Sequence, residues 1–216
     1  MTRATPDFVT LTGCDRPDAI DALHRLATDY PGRVEYGILV SAERAGSPRF
    51  PAPPTVEELR RAGLRLSAHL CGSLAEAVFA GRAVDFDLSG FTRVQVNLVG
   101  RHAGPAEVEA AIGFGRSRGI RTILQCGQGF PPETRCDWLL DNSFGAGKAV
   151  VAIPDMNGSS AFCGVSGGLT PRTVGAVLAQ IPASARPFWI DAESALFRGD
   201  RFSTAACRDF LASVYG

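Results

Sequence analysis

The stretch Phe162-Cys163-Gly164-Val165-Ser166-Gly167-Gly168-Leu169-Thr170-Pro171 decides how the rest of this 216-residue chain is read. A short apolar run rich in strand formers stops at Ser166, a glycine pair follows, and Thr170 with Pro171 carries the signature of a helix start, as N-cap and first helical residue. Strand, glycine turn and helix in direct succession describe one β/α unit. Backbone N–H groups in such a turn can approach an anion at the helix N-terminus. Gly167 and Gly168 are therefore candidate ligand-binding residues.

The same alternation runs in both directions from this segment. Apolar strand-like runs are expected at 8–12, 34–40, 64–69, 93–98, 121–125, 138–141, 162–165 and 188–191. Between them, 17–29 places Ile20, Leu23, His24 and Ala27 on one helical stripe, and 106–117 does the same with Val108, Ala111 and Ile112. Thr55 ahead of Glu57 and Glu58, Ser73 ahead of Glu76, and Ser203 read as further helix starts. Eight β/α units without a linker or a change in composition predict an α/β fold, a (β/α)8 barrel forming a single domain over residues 1–216, in preference to an open doubly wound sheet. The proline-rich stretch 47–54 fits a rigid loop after the second strand.

Composition narrows the classes of function. Lys and Arg together number 22 and Asp and Glu 22, so no basic surplus points to nucleic acid, and hydrophobic residues at 45% exclude a disordered chain. Asp7, Asp15, Asp18, Asp21 and Asp29 crowd the first thirty residues, which suits neither a signal peptide nor a membrane span. A soluble cytoplasmic protein is expected, a monomer or homodimer binding no nucleic acid and no membrane. The six cysteines are scattered without a CxxC pair and are expected as free thiols.

In a barrel, chemistry belongs to the C-terminal strand ends. Those ends are polar throughout: Thr12 and Cys14, Ser41 and Glu43, His69 and Cys71, Gln95 and Asn97, Gln125 and Cys126, Asp141 and Asn142, Ser166, then Asp191 and Glu193. Converging from eight strands, they would form a ring able to hold a polar small molecule. The segment 142–149 fails as a nucleotide-binding P-loop, since Asn142 stands at the first glycine position and Ala149 follows the lysine. His69 and Cys71, with Cys14 or Asp141, contain metal-capable side chains but lack ligand spacing. No metal or cofactor is expected.

Several of these pieces occur in the same order in the phosphoribosylanthranilate isomerase family. Leu11-Thr12-Gly13-Cys14-Asp15-Arg16-Pro17 resembles that family's opening Lys-Ile-Cys-Gly-Leu-Thr-Arg-Pro, and Ser47-Pro48-Arg49-Phe50 resembles Ser-Pro-Arg-Tyr, whose arginine faces the substrate carboxylate. Val94-Gln95-Val96-Asn97 is similar to Val-Gln-Leu-His. Leu139-Leu140-Asp141 before Gly145-Ala146-Gly147-Lys148 is similar to Leu-Leu-Asp before a glycine loop. Ser166 to Pro171 is similar to the phosphate-binding Ala-Gly-Gly-Leu-x-Pro, and Asp191 matches the aspartate of the last strand.

The resemblance implies an aldose-ketose isomerase of the Amadori type on a small anionic substrate, with Asp141 as general acid. It also implies substrate contacts from Thr12, Arg49, His69, Gln95, Asn97, Gly167, Gly168 and Asp191. The family's base is the cysteine of the first strand, a position held here by Thr12, which cannot abstract a carbon-bound proton unaided. Cys14, two residues on, is the expected replacement base, with Glu193 the alternative. Glu193-Ser194-Ala195 stands where the family has Ser-Ser-Gly, so the reaction is expected to have diverged. A barrel lyase or aldolase using Lys148 or Glu193, a metal enzyme using His69 and Cys71, and a non-catalytic binding protein are the competing readings.

Overall fold

The computed structural model describes residues 4–141 and 152–216. Eight parallel strands close into a barrel in sequence order: β1 (Phe8–Thr12), β2 (Val34–Val40), β3 (Leu66–Leu70), β4 (Arg93–Val96), β5 (Arg121–Cys126), β6 (Asp137–Leu140), β7 (Cys163–Val165) and β8 (Phe188–Ala192). The seam is the parallel pairing of β1 with β8, in which Thr10 lies opposite Asp191. All eight expected strands are present. Their bounds move by up to two residues at an end, and β4 stops at Val96 rather than Leu98.

Helices α1 (Ile20–Asp29), α2 (Pro53–Arg61), α3 (Ser73–Phe79), α4 (Pro105–Arg116), α5 (Val174–Leu178) and α6 (Thr204–Tyr215) pack around the barrel. The link from β5 to β6 contains no helix, because Gly127, Gly129, Pro131 and Pro132 leave no uninterrupted helical window. Helix starts differ from expectation in three places. Helix α2 begins at Pro53, whose fixed φ suits the first turn, with Ala52 rather than Thr55 before it. Gly72, at φ 61°, precedes α3, so Ser73 is the first helical residue. After the glycine turn, Thr170 closes a single turn by accepting from the Thr173 N–H at 3.2 Å, and α5 starts only at Val174. Ser203 does cap α6, its hydroxyl accepting from the Ala206 N–H at 3.2 Å.

Outward-facing strand residues such as Tyr36, Ile38, Leu66, Val94 and Ile190 are fully or nearly fully buried against the helices. Each such side chain contributes about 1.5–3 kcal/mol relative to exposure. Inside the barrel Phe8, Ile123, Leu139 and Trp189 form an apolar layer. Gly164 is required there, because a Cβ on it would collide with the Trp189 ring.

Beside that layer sits a buried ion network that the sequence reading did not anticipate. Arg93 donates to Glu35 through Nη2 at 2.6 Å and Nε at 3.1 Å, and through Nη1 to Asp137 at 3.4 Å. Arg121 donates to the other Asp137 oxygen at 2.7 Å, and Thr10 to Glu35 at 2.9 Å. The Arg93 guanidinium lies over the rings of Trp189 and Phe8, at 4.3 and 4.9 Å. These charges begin their strands, at the end of the barrel where conservation of structure rather than chemistry is the rule. Among the described residues no helix is long and apolar enough to cross a membrane.

Candidate active site

At the opposite, C-terminal end of the strands the barrel opens into a cleft of about 910 Å³. Its walls come from the loops after β2, β3 and β4, from Gln125 at the end of β5 and from Glu193 just past β8. Each predicted site residue except Cys14 reaches this end of the barrel, and apart from the glycine turn after β7 they fall into four groups.

Thr12, His69 and Asp191 form the first, buried inside the barrel. The Thr12 hydroxyl donates to Asp191 Oδ1 at 2.9 Å, while His69 Nε2 stands 4.0 Å from Asp191 Oδ2, beyond hydrogen-bond reach and without another partner among the described residues. Gly37 on β2 makes the space, since a Cβ there would run into the Thr12 hydroxyl and the His69 ring. Burial, opposed by the Thr12 hydrogen bond and reinforced by Glu193 and Glu35, pushes Asp191 up to about 8. Burial, with the nearby Arg93 charge, pushes His69 down to about 3 and keeps its imidazole neutral.

Asp141 follows β6 directly and is buried, accepting from Gln125 Nε2 at 3.2 Å. The Gln125 carbonyl in turn accepts the Leu98 N–H at 3.1 Å, which fixes the orientation of the amide. On the third side, Gln95 Nε2 donates to Asn97 Oδ1 at 2.8 Å, and Asn97 Nδ2 contacts the Cys71 sulfur at 3.1 Å. The Gln95 carbonyl oxygen is buried with no donor among the described residues.

Arg49 and Glu193 form the fourth group. Arg49 adopts φ 74°, unusual for a side-chain-bearing residue, and its N–H is held by Asp15 Oδ2 at 2.8 Å. The guanidinium stacks over Phe197 at 4.5 Å and donates to Glu193 Oε1 at 2.7 Å. The sequence reading missed both Asp15 and Phe197 as supports. An aspartate in Cys14-Asp15-Arg16 reads as an ordinary loop residue, and Phe197 belongs to a hairpin, β9 (Phe197–Arg198) with β10 (Arg201–Phe202), that has no periodic signal of its own.

The expectation for Cys14 needs correction. Gly13 takes φ +105°, breaking the alternation that would have kept positions 12 and 14 on one side. A Cβ on Gly13 would lie 2.7 Å from the Phe197 ring, so the turn is tied to glycine. Cys14 is fully buried in the layer between barrel and helices, which it shares with Tyr36 and Cys207, and burial pushes its thiol up to about 12. A thiolate at that place is not accessible near neutral pH.

Ser166 follows β7, and Gly167 and Gly168 both take positive φ, 98° and 59°. Lys148 and the glycine loop 142–149 lie outside the described residues. Among the described residues, no three His, Cys, Asp or Glu side chains are placed to hold a metal ion together.

Comparison with proteins of known structure agrees with this architecture. Phosphoribosyl anthranilate isomerase from Thermus thermophilus superposes with a TM-score of 0.62 at 20% identity, covering 95% of this chain and 97% of the other. The phosphoribosyl anthranilate isomerase from Thermococcus kodakaraensis gives 0.62 at 17% identity, over 97% and 99%. What they share with this chain is the fold. The tryptophan synthase A-subunit from Pyrococcus furiosus has the same barrel, with 0.56 at 15% identity over 99% and 98%. No protein-family model matches the sequence, and no curated protein does.

Proposed function

We propose that the cleft is the active site of a proton-transfer isomerase converting a phosphorylated aminoaldose-like substrate to the corresponding ketose. The observation that carries this reading is a pair of buried carboxylates, Asp141 after β6 and Asp191 on β8, each held by a different neighbour. Such a rearrangement needs an acid to protonate the ring oxygen as the ring opens and a base to take the proton from C2. Asp141 is the acid. Asp191 is the base: at about 8 its carboxyl titrates close to neutrality, and Thr12, at the position of the family's cysteine, orients it. Glu193 is already committed to Arg49. The N–H groups of Gly167 and Gly168 supply donors for the phosphate.

Isomerisation of N-(5-phosphoribosyl)anthranilate and of related phosphoribosylamines, followed by ultraviolet absorbance, tests this. Asp141→Asn and Asp191→Asn should each lower turnover by roughly 10²-fold or more, the scale of a general acid or base. Turnover that survives both substitutions, or a wild type that isomerises no such compound, would remove the reading. In the latter case a binding-only barrel takes its place, a reading that the missing cysteine at Thr12 favours.

A further inference from the structure

The wall of the cleft around Arg49 is rich in acceptors, and carboxylates outnumber cations on it. Glu43, Glu76 and Glu193 line it, opposed only by Arg44 and Arg49 among the described residues. Neither arginine is idle. Arg44 stacks over the Phe50 ring at 4.0 Å, and Arg49 is flanked by Phe197 and neutralised by Glu193 at 2.7 Å. Glu43 is a built feature: it accepts from the Ser41 hydroxyl at 2.7 Å and the Ser73 N–H at 3.3 Å. Hydrogen bonds from Ser73 and Ser41 hold its carboxyl down at about 2, so it stays ionised. Gly72 gives it room, since a Cβ there would lie 2.6 Å from Glu43 Oε2. Deeper in, Gln95 is 4% exposed and its carbonyl has no donor among the described residues, and it adjoins Asn97 on the cleft wall. All these atoms call for N–H or O–H groups on the ligand.

We propose that this end of the cleft selects a substrate whose amine substituent bears no carboxylate, the Glu193 side chain occupying the place on Arg49 that a substrate carboxylate would take. An uncharged or cationic donor group is accepted there, and an anion is repelled by the carboxylates. The inference rests on the proposed function for the phosphate and sugar, and adds the chemical class of the remaining part.

Three stable ketose probes test it by calorimetric titration of the full chain: 1-anilino-1-deoxyribulose 5-phosphate, its ortho-carboxylated counterpart and its ortho-aminomethyl counterpart. The wild type should bind the carboxylated probe at least about 10-fold more weakly than the other two. Glu193→Gln, at a half-exposed position that tolerates an isosteric amide, should reverse that order by freeing Arg49. Equal or tighter binding of the carboxylated probe by the wild type overturns the inference while leaving the proposed function intact. An unchanged preference in Glu193→Gln also overturns it. The expected preference with no isomerisation of any substrate would remove the proposed reaction and keep the selectivity. Failure of all three probes to bind would overturn the phosphate assignment and the inference together.

Discussion

Gly13 decides which side chain reaches the barrel mouth. Alternation along an extended chain puts positions 12 and 14 on the same side, which is why the sequence favours Cys14 as a base. The positive φ at 13 cannot be read from the presence of a glycine alone, and it sends the sulfur outward while Thr12 stays in. Cys14→Ala should therefore leave turnover of an isomerised substrate unchanged within a few-fold, at a cost of about 1 kcal/mol in urea-unfolding stability from a small cavity. Thr12→Val acts differently. The hydrogen bond from Thr12 lowers the Asp191 pKa, so its loss should move the rising limb of the kcat/KM profile from about pH 8 to higher pH. Stability gives a second check on Asp191. Its folded pKa lies above its ordinary 3.8, so between about pH 4 and 8 the native state holds a proton that the unfolded chain has released. Stability then falls as pH rises through that window, by at most about 1.4 kcal/mol per pH unit. Asp191→Asn should remove this slope, raising Tm relative to wild type at pH 8 and not at pH 3.5.

At the scale of elements, strands were more legible than helices. A strand such as β2 announces itself by the largely apolar run Val34–Val40, whereas helix starts depend on a proline or a positive φ that displaces the cap by one to three residues. The turn after β7 illustrates both outcomes. Its glycine pair was readable as a tight turn, and both residues take positive φ, but Thr170 and Pro171 build an isolated turn and the helix that follows has only five residues. Substituting Gly168 forces a side chain onto φ 59° and into the space a ligand would need. Gly168→Val should weaken binding of the anilino ketose phosphate by about 10-fold or more, with circular dichroism reporting an intact barrel.

For the molecule as a whole, the barrel was legible because every strand stops at a polar residue and only a closed sheet brings eight such ends together. Its interior charge was not. Glu35, Arg93 and Asp137 stand at or near the start of strands otherwise read as apolar, and their partners lie up to 58 residues away. No local pattern predicts such pairing. Removing one partner leaves the others charged and buried, so Glu35→Ala should cost about 3–5 kcal/mol in unfolding free energy. The double change Glu35→Leu with Arg93→Met should cost less than the sum of its parts.

The hydrogen bond between Thr12 and Asp191 joins residues 179 positions apart in the chain. Pairings this remote form late, because the intervening chain must first be ordered. A refolding chain can regain helix signal and much of its sheet before β8 docks on β1, but it has no complete site until the seam is shut. Recovery of ligand binding in stopped-flow refolding should accordingly lag behind far-ultraviolet circular dichroism. A chain ended before Phe188 should keep two unpaired strand edges, and self-associate through them.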